Sequence, residues 1–263
     1  MKIISIISSY RKDGNTSRIV NLIEKQILNF TRSKNIKIEF EKVYLGEVEL
    51  KNCRGCRLCF DKGEAMCPLK DELLVVRNKI FQADGLLVAS PVYVEDVNGV
   101  MKNWIDRMAF ISHRPAFAGK TAIVITTSGI GSSNHAFKTI NTALNTWGIS
   151  SVAKGKFRTG ALMKTDEMDE KYHEKIKKIS SKLVNTVIHN ETPNPSLYSL
   201  VSFRVQQKYW QKHKNIKGAF DFEYWKCKGW IEPDCEFYLD HKANFIKVNL
   251  ARLIGNIVAL FFI

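Results

Sequence analysis

The turn Ser8-Ser9-Tyr10-Arg11-Lys12-Asp13-Gly14-Asn15-Thr16-Ser17 decides the fold, because of the two segments that it joins. It follows residues 2–7 (KIISII), an apolar run that is typical of a buried parallel strand. It leads into residues 18–33, where apolar residues recur at helical spacing. The turn is therefore predicted to connect a strand to a helix. The start of such a helix presents free backbone N–H groups and a positive dipole.

The side chains of this turn suit a single phosphate group. The turn offers polar side chains and one glycine, at which the backbone can approach a bound group closely. These residues are Ser9, Arg11, Gly14, Asn15, Thr16 and Ser17. The chain has no G-x-x-x-x-G-K-[ST] loop and no G-x-G-x-x-G loop, which argues against a nucleoside triphosphate and a dinucleotide pyrophosphate. The alternative is an ordinary polar loop in which Asn15 or Thr16 caps the helix. We predict a monophosphate site.

The composition of the chain restricts its class. Its 263 residues suit one large domain, or one domain with an extension. The formal net charge is +14, but lysine and arginine are scattered, which favours a basic solvated surface over a nucleic-acid site. The sequence shows no secretion-signal pattern and no apolar run long enough to span a bilayer. We therefore expect a cytoplasmic protein that binds no nucleic acid.

Four more runs are predicted to be strands, at residues 36–43, 85–90, 120–127 and 151–158. Helical patterns lie between them, and this alternation predicts a doubly wound parallel sheet. Ligands of such sheets bind outside the carboxyl ends of the strands. We expect four loops to meet at that rim: the first turn, a cysteine-rich loop after the second strand, Pro91-Val92-Tyr93 as a closing turn, and Ser128-Gly129.

Three short motifs occur in the same order as in a known family. They are Ser9-x-Arg11-x-x-Gly14-Asn15-Thr16, Ser90-Pro91-Val92-Tyr93 and Met101-Lys102-Asn103-Trp104-Ile105-Asp106-Arg107. With them, residues 1–190 resemble the flavodoxin-like NAD(P)H-dependent FMN reductases. Because Cys53-x2-Cys56-x2-Cys59-x7-Cys67 lies between the motifs, the chain most resembles the iron–sulfur flavoprotein branch. One departure is Ser8-Ser9-Tyr10, where the family usually has Gly-Ser-Pro.

The resemblance implies strand order 2-1-3-4-5, bound FMN, and a homodimer or homotetramer. It places the FMN phosphate on Ser9, Arg11, Asn15, Thr16 and Ser17. It places the isoalloxazine ring against Pro91, Val92 and Tyr93, with Ser128 and Gly129 alongside. Electrons would enter from NAD(P)H or a ferredoxin-like donor, and would leave to a small-molecule acceptor or a redox protein. Because the cofactor supplies the chemistry, we predict no catalytic acid, base or nucleophile in the protein.

Four of the six cysteines are clustered, at Cys53, Cys56, Cys59 and Cys67. Four thiolates are the usual ligand set of a [4Fe–4S] cluster, and this is the assignment that we favour. A structural zinc site and a redox-active or free thiol group are the alternatives. We expect Cys227 and Cys235 to be buried structural cysteines. We expect Asp106 and Arg107 to form an ion pair.

Pro193-Asn194-Pro195 marks a boundary near the start of residues 191–263. These residues contain half of the chain's aromatic residues. We predict a helical extension that docks on the core or on a partner subunit, with contact to a membrane surface as the less favoured alternative. Its aromatic residues could also cover the flavin. His113 is predicted to lie at a helix end, on the rim opposite the flavin. Three functions remain open: an iron–sulfur flavoprotein, an FMN-only NAD(P)H-dependent reductase, and a non-enzymatic electron shuttle or docking module.

Overall fold

Five parallel strands form the central sheet in the computed structural model, which describes residues 1–213 and 219–262. The strands, with a short sixth one, are β1 (Lys2–Ile7), β2 (Glu39–Tyr44), β3 (Gly85–Tyr93), β4 (Asp96–Val97), β5 (Thr121–Ser128) and β6 (Ser150–Arg158). The parallel strands lie in the order β2-β1-β3-β5-β6, and β4 pairs antiparallel with the end of β3. When the short β4 is left out of the numbering, this is the predicted order 2-1-3-4-5. The flavodoxin-like fold is therefore confirmed.

Helices connect and cover these strands. They are α1 (Asn15–Arg32), α2 (Leu58–Asp61), α3 (Leu73–Gln82), α4 (Gly99–Arg107), α5 (Phe110–His113), α6 (Asn134–Thr146), α7 (Thr165–Ile188), α8 (Leu197–Lys212), α9 (Phe220–Cys227) and α10 (Phe245–Phe262). Two helices, α4 and α5, follow β4 in place of one continuous helix. Residues 214–218 and 263 of the predicted extension lie outside the described residues. None of the described helices is long and apolar enough to cross a membrane.

The sheet carries a buried layer on each face. On one face, α1 and α7 bury residues such as Ile23 and Leu183 against the strands. On the other face, α3, α4 and α6 pack around Trp104 and Trp147, whose ring centroids are 5.1 Å apart in an edge-to-face arrangement. Because both faces are covered, the inner strands are continuous apolar runs rather than alternating ones.

The C-terminal extension has an aromatic core of its own. Phe203 of α8 stacks on Trp225 of α9 at 5.5 Å, and Trp230 and Tyr238 complete the cluster. In the part of the chain that the structure describes, the extension contacts the end of α5 and the cysteine loop. Cover of the flavin by its aromatic residues stays a prediction. The division at residue 190 stays a prediction.

Candidate functional site

The turn after β1 is shaped by hydrogen bonds to the carbonyl oxygen of Arg11. That oxygen accepts from Gly14 N (3.2 Å), Ser9 Oγ (3.2 Å) and Ser17 Oγ (3.1 Å). A Cβ at Gly14 would lie 3.2 Å from both the Cβ and the carbonyl oxygen of Arg11, so glycine allows this close turn. The Arg11 side chain is exposed and forms no ion pair or hydrogen bond with the residues described. The guanidinium is therefore available to an anion.

The start of α1 offers backbone donors to the same anion. No acidic residue lies in its first turn, and the first N–H groups of a helix have no partner within the helix. Besides Ser9 and Ser17, two more predicted phosphate ligands are engaged, here outside the turn: Thr16 Oγ1 lies 2.6 Å from Thr127 Oγ1 of β5, and Asn15 Nδ2 donates to Thr159 Oγ1 at 3.0 Å. These side chains tie the turn to the ends of β5 and β6. Thr127 and Thr159 were missed because neither stands in a recognisable motif.

The predicted ring-binding segment Pro91-Val92-Tyr93 is the end of β3 rather than a closing turn, so that expectation is wrong. The chain reverses at Val94 and Glu95, whose φ angles are +49° and +65°, and then forms β4. Two successive positive φ values are typical of a tight hairpin turn, although a β-branched residue rarely adopts them. The side chains of Tyr93 and Val94 are exposed at the carboxyl rim of the sheet.

The other rim loop follows β5. Ser128 is the last residue of this strand, and it is buried next to Ser133, with 3.4 Å between their Oγ atoms. Gly129 follows in open space, since a Cβ there would meet no atom within 4 Å. The structure thus places Ser128 and Gly129 at the carboxyl rim, as it does the β1 turn and the end of β3.

Asn98 joins the first turn to α4, and sequence reasoning missed it. Its side chain is buried, donates from Nδ2 to the carbonyl oxygen of Ser8 at 2.7 Å, and accepts at Oδ1 from the backbone N–H of Met101 at 3.2 Å. An asparagine before a helical pattern is an N-cap signal that could have identified it. A cleft of about 370 Å³ adjoins Asn98 and is bordered by Tyr10, Tyr93 and Asn52.

The cysteine loop runs along α4 away from the rim. Asn103 of α4 donates to the carbonyl oxygen of Leu50 at 3.1 Å, and Arg114 donates to the carbonyl oxygen of Cys59 at 2.8 Å. Helix α4 has 9 residues, a length of about 14 Å. The segment before the loop borders the rim cleft at Asn52, but the cysteines lie beside the far end of α4, so the expectation that the loop itself meets the others at the rim is wrong for its cysteines.

The four predicted metal ligands line one pocket of about 80 Å³. Its remaining lining includes Phe60, Leu69, Leu73 and Phe110, and the guanidinium-bearing Arg54, Arg57 and Arg107. Cys53 Sγ accepts from the backbone N–H of Gly55 at 3.5 Å, and Arg107 Nη2 lies 4.0 Å from Cys67 Sγ. The pocket therefore combines four sulfur donors with charged residues of both signs, because Glu64 and Asp106 line it as well. Cys53 and Cys56 are exposed, whereas Cys59 and Cys67 are partly buried.

The thiol groups at this pocket are free of disulfide bonds. Burial raises the pKa of the Cys59 thiol, and the charges of Cys67 and Cys53 raise it further. Among residues 1–213 and 219–262, no group of three or more His, Cys, Asp or Glu side chains is arranged to hold a metal ion. Outside the pocket, Cys227 is exposed and Cys235 is partly buried, so the prediction of two buried cysteines is wrong.

Arg107 forms a buried ion pair with Asp71, not with Asp106 as predicted. Its Nη1 and Nη2 atoms lie 2.5 and 3.0 Å from the two carboxylate oxygens of Asp71, and Nη1 also donates to the carbonyl oxygen of Lys51 at 2.5 Å. Asp106 instead pairs with Lys102 on the surface. Burial alone would raise the pKa of Asp71, but the hydrogen bonds from Arg107 and from backbone N–H groups lower it below its usual value.

Comparison with known proteins identifies the family. Residues 1–160 match the family described as NADPH-dependent FMN reductase. The chain belongs to this family. It is 28% identical over 232 residues to an iron–sulfur flavoprotein of Archaeoglobus fulgidus, covering 88% of this chain and 100% of that protein. It is 36% identical over 107 residues to an iron–sulfur flavoprotein of Methanocaldococcus jannaschii, covering 41% of this chain and 51% of that protein.

A solved structure extends the comparison of this FMN reductase family member beyond the sheet. RosB with the bound intermediate 8-demethyl-8-formylriboflavin-5'-phosphate matches with a TM-score of 0.54 and 17% identity, covering 93% of this chain and 92% of that one. This likeness supports the fold. The family inferred from the three motifs and the iron–sulfur flavoprotein branch inferred from the cysteine spacing are confirmed, and the chain is an FMN-dependent oxidoreductase by family. The individual site residues stay predictions.

Proposed function

We propose that this chain passes electrons between FMN at the β1 turn and a [4Fe–4S] cluster on Cys53, Cys56, Cys59 and Cys67. The observation that carries the proposal is the single pocket that these four cysteines line beside α4. The same α4 begins at Asn98, which is hydrogen-bonded to the β1 turn. One helix therefore links the two cofactor sites.

The β1 turn supplies what an FMN phosphate needs. Arg11 offers an unpaired guanidinium, and the first turn of α1 offers backbone N–H groups and its positive dipole. The exposed ring of Tyr93 and the open space at Gly129 would border the isoalloxazine, as in the predicted assignment. When bound, FMN exchanges hydrides and single electrons, so the protein has only to position it and set its electrostatic surroundings.

The donor set of the cysteine pocket suits a cluster. Four thiolates are the usual ligands of [4Fe–4S], and such a thiolate-bound cluster carries net negative charge. Arg54, Arg57 and Arg107 line the pocket and would offset part of that charge, since Arg57 also pairs with Asp61 and Arg107 with Asp71. Hydrogen bonds to the sulfurs help to set the reduction potential of such a cluster. The Gly55 N–H donates one to Cys53 Sγ. Zinc and free thiols are the alternatives that the experiment below separates.

The donor of electrons is proposed to be NAD(P)H or a ferredoxin-like protein, and the assembly a homo-oligomer. The surface of α10 supports self-association, because exposed apolar residues follow one another at alternating steps of four and three. They are Ile246, Leu250, Leu253, Ile257 and Leu260. This spacing is that of a coiled-coil seam and suits the same helix of a second copy. Leu253→Glu should therefore lower the mass measured by light scattering, whereas an unchanged mass would place the contact elsewhere.

Cofactor content tests the central proposal. Protein purified without oxygen should contain about one FMN, four irons and four acid-labile sulfides per chain. Cys59→Ser should lose the iron and keep FMN. Cys227→Ser is the matched control, because that exposed cysteine lies outside the pocket, and it should keep both cofactors. FMN with one zinc per chain, or FMN with neither metal, would reject the cluster and leave an FMN-only reductase.

A further inference from the structure

A large cavity of about 830 Å³ lies between the C-terminal extension and the cysteine loop. This volume is in the range of small-molecule sites. Several of its walls are aromatic, with Phe60 from α2, Tyr198, Tyr209 and Trp210 from α8, and Phe220 from α9. Flat aromatic walls favour a flat guest, because rings stack or meet edge to face. Neither the family assignment nor the proposed cofactors explain this cavity.

The cavity adjoins the cysteine pocket on the side away from the predicted flavin rim. Phe60 and Arg57 line both spaces. The cavity also reaches Ser112 and Thr146, which lie at the ends of α5 and α6 and are joined by a 3.0 Å hydrogen bond. Since α6 begins at the carboxyl rim after β5, its last residue lies toward the amino-terminal ends of the strands. The cysteine pocket and the cavity therefore share a wall.

The buried carboxylate of Asp221 lies in the cavity wall, next to His113. Asp221 is 5% exposed, and its carboxylate accepts from Arg114 Nη1 and, at 2.8 Å, from His113 Nδ1. Because a carboxylate paired with arginine only accepts, Nδ1 of His113 carries a proton. The other ring nitrogen, Nε2, accepts a hydrogen bond in the neutral ring and donates one in the charged ring. The ring packs against Phe60 with 4.5 Å between the centroids, and half of the side chain is exposed.

We propose that this cavity binds a quinone-type acceptor that is reduced by electrons from the cysteine pocket. The inference rests on the proposed function, since it needs the cluster as the donor of single electrons and reduced FMN as their source. A quinone has a flat ring for the aromatic walls and carbonyl oxygens for His113 Nε2. Its hydroquinone has hydroxyl groups that donate to the same nitrogen once that nitrogen is deprotonated.

The reaction balances with two electrons and two protons for each quinone. A bound cluster would supply the two electrons one at a time, and reduced FMN would be their source. A proton held at Nε2 of His113 would pass to one quinone oxygen, and the second proton would come from solvent. His113 then regains its proton from solvent through its exposed side. Asp221 holds the ring by accepting from Nδ1 throughout.

The binding test uses duroquinone, whose fully methylated ring resists addition of the nearby thiols. Val205 of α8 lines the cavity, so Val205→Trp should fill it and weaken duroquinone binding at least about tenfold in calorimetry. Val75→Trp, at an exposed position of α3, is the matched control and should bind as the wild type does. Ser202→Trp, from the same wall, repeats the test should Val205→Trp fail to fold.

The reduction test measures the rate of duroquinone reduction by Val205→Trp and by His113→Phe, each as holoprotein. Val205→Trp should slow duroquinone reduction and leave the rate of FMN reduction by the electron donor unchanged. His113→Phe should keep the ring against Phe60, bind duroquinone within about threefold of wild type, and lower its turnover at least about tenfold through loss of the proton.

Three results would overturn the inference. The first is equal duroquinone affinity in Val205→Trp, Ser202→Trp and the wild type. The second is competition between duroquinone and FMN, which would place the quinone at the flavin. The third is turnover of His113→Phe equal to wild type, which removes the proton donor. Protein that lacks iron but still loses binding on Val205→Trp would keep the cavity as a quinone site and reject only the cluster as its electron source.

Discussion

Replacing Asp71 by Asn should destabilise the protein and loosen the cysteine loop, because Asp71 is the carboxylate partner of a buried guanidinium. The side chains of Arg107 and Asp71 are 2% and 1% exposed. Arg107 also donates to the carbonyl oxygen of Lys51. Lys51 precedes Cys53 and Asp71 follows Cys67, so this one guanidinium holds both ends of the loop that carries the four cysteines.

The magnitude follows from what the substitution leaves behind. The introduced amide would still accept one hydrogen bond, but the charge of Arg107 would be buried without a counter-charge. Breaking a buried pair in this way costs about 3–5 kcal/mol. We expect the lower end, about 3 kcal/mol, which lowers the folding equilibrium constant roughly 100-fold. The iron content of the purified variant should fall as well, because the loop ends are released.

Urea unfolding of metal-free protein, followed by circular dichroism, measures this cost without a contribution from the cluster. Asp106→Asn is the matched control, since its pair with Lys102 is exposed and should cost less than about 1 kcal/mol. The double variant Asp71→Asn/Arg107→Met removes the buried charge and should recover more than half of the loss. The reasoning is refuted if Asp71→Asn lies within about 1 kcal/mol of wild type, or if the double variant is less stable than the single one.

The remaining predictions concern the two ends of the proposed flavin site and the acid response. Arg11→Ala should weaken FMN binding about 10- to 100-fold in a titration, whereas Lys12→Ala, whose partner is Glu47, should not; retained affinity in Arg11→Ala would show that the phosphate is held elsewhere. Val94→Asn should raise the free energy of unfolding by about 1 kcal/mol, because asparagine tolerates a positive φ better; a lower value in urea would show that Val94 is not strained. Since the pKa of Asp71 is lowered in the folded state, its stabilisation is present above pH about 4 and is lost as the pH falls further. The difference between wild type and Asp71→Asn should shrink over that acid range, and a constant difference in urea midpoints would contradict this.

The sheet could be predicted because its signals are local. Residues 2–7 and 85–90 are continuous apolar runs, and the structure pairs them in parallel from Ile3 with Gly85 to Ile7 with Ala89. The third strand was predicted to end at Ser90, because proline usually stops a strand, whereas β3 continues to Tyr93. Beyond Ala89, however, β3 has no β1 neighbour, so Pro91 costs no hydrogen bond on that side and stays paired with Thr127 on the other.

The contacts that join distant segments could not be predicted from one sequence. Arg107 and Asp71 are 36 residues apart, and Thr16 and Thr127 are 111 residues apart. No local pattern marks either pair, and the adjacent Asp106 and Arg107 suggested the wrong partner. The direction of the cysteine loop depends on contacts of this kind. A prediction based on strand ends therefore placed its cysteines at the rim, together with the loops that remain there.

The C-terminal extension packs against the cysteine loop and helps to hold its backbone. These contacts bear on why one chain contains both segments. Gly63 has a φ of +91°, and a Cβ there would lie 2.9 Å from the ring of Phe220, so α9 packs against loop backbone where a side chain would not fit. Arg114 donates to the carbonyl oxygen of Cys59 and pairs with Glu64 at 3.1 Å and with Asp221 of α9. In a reductase that used FMN alone at the carboxyl rim, these contacts would serve only to hold the loop and the extension together, because they lie beyond the far end of α4. They are accounted for if electrons leave through the cysteine pocket toward the extension.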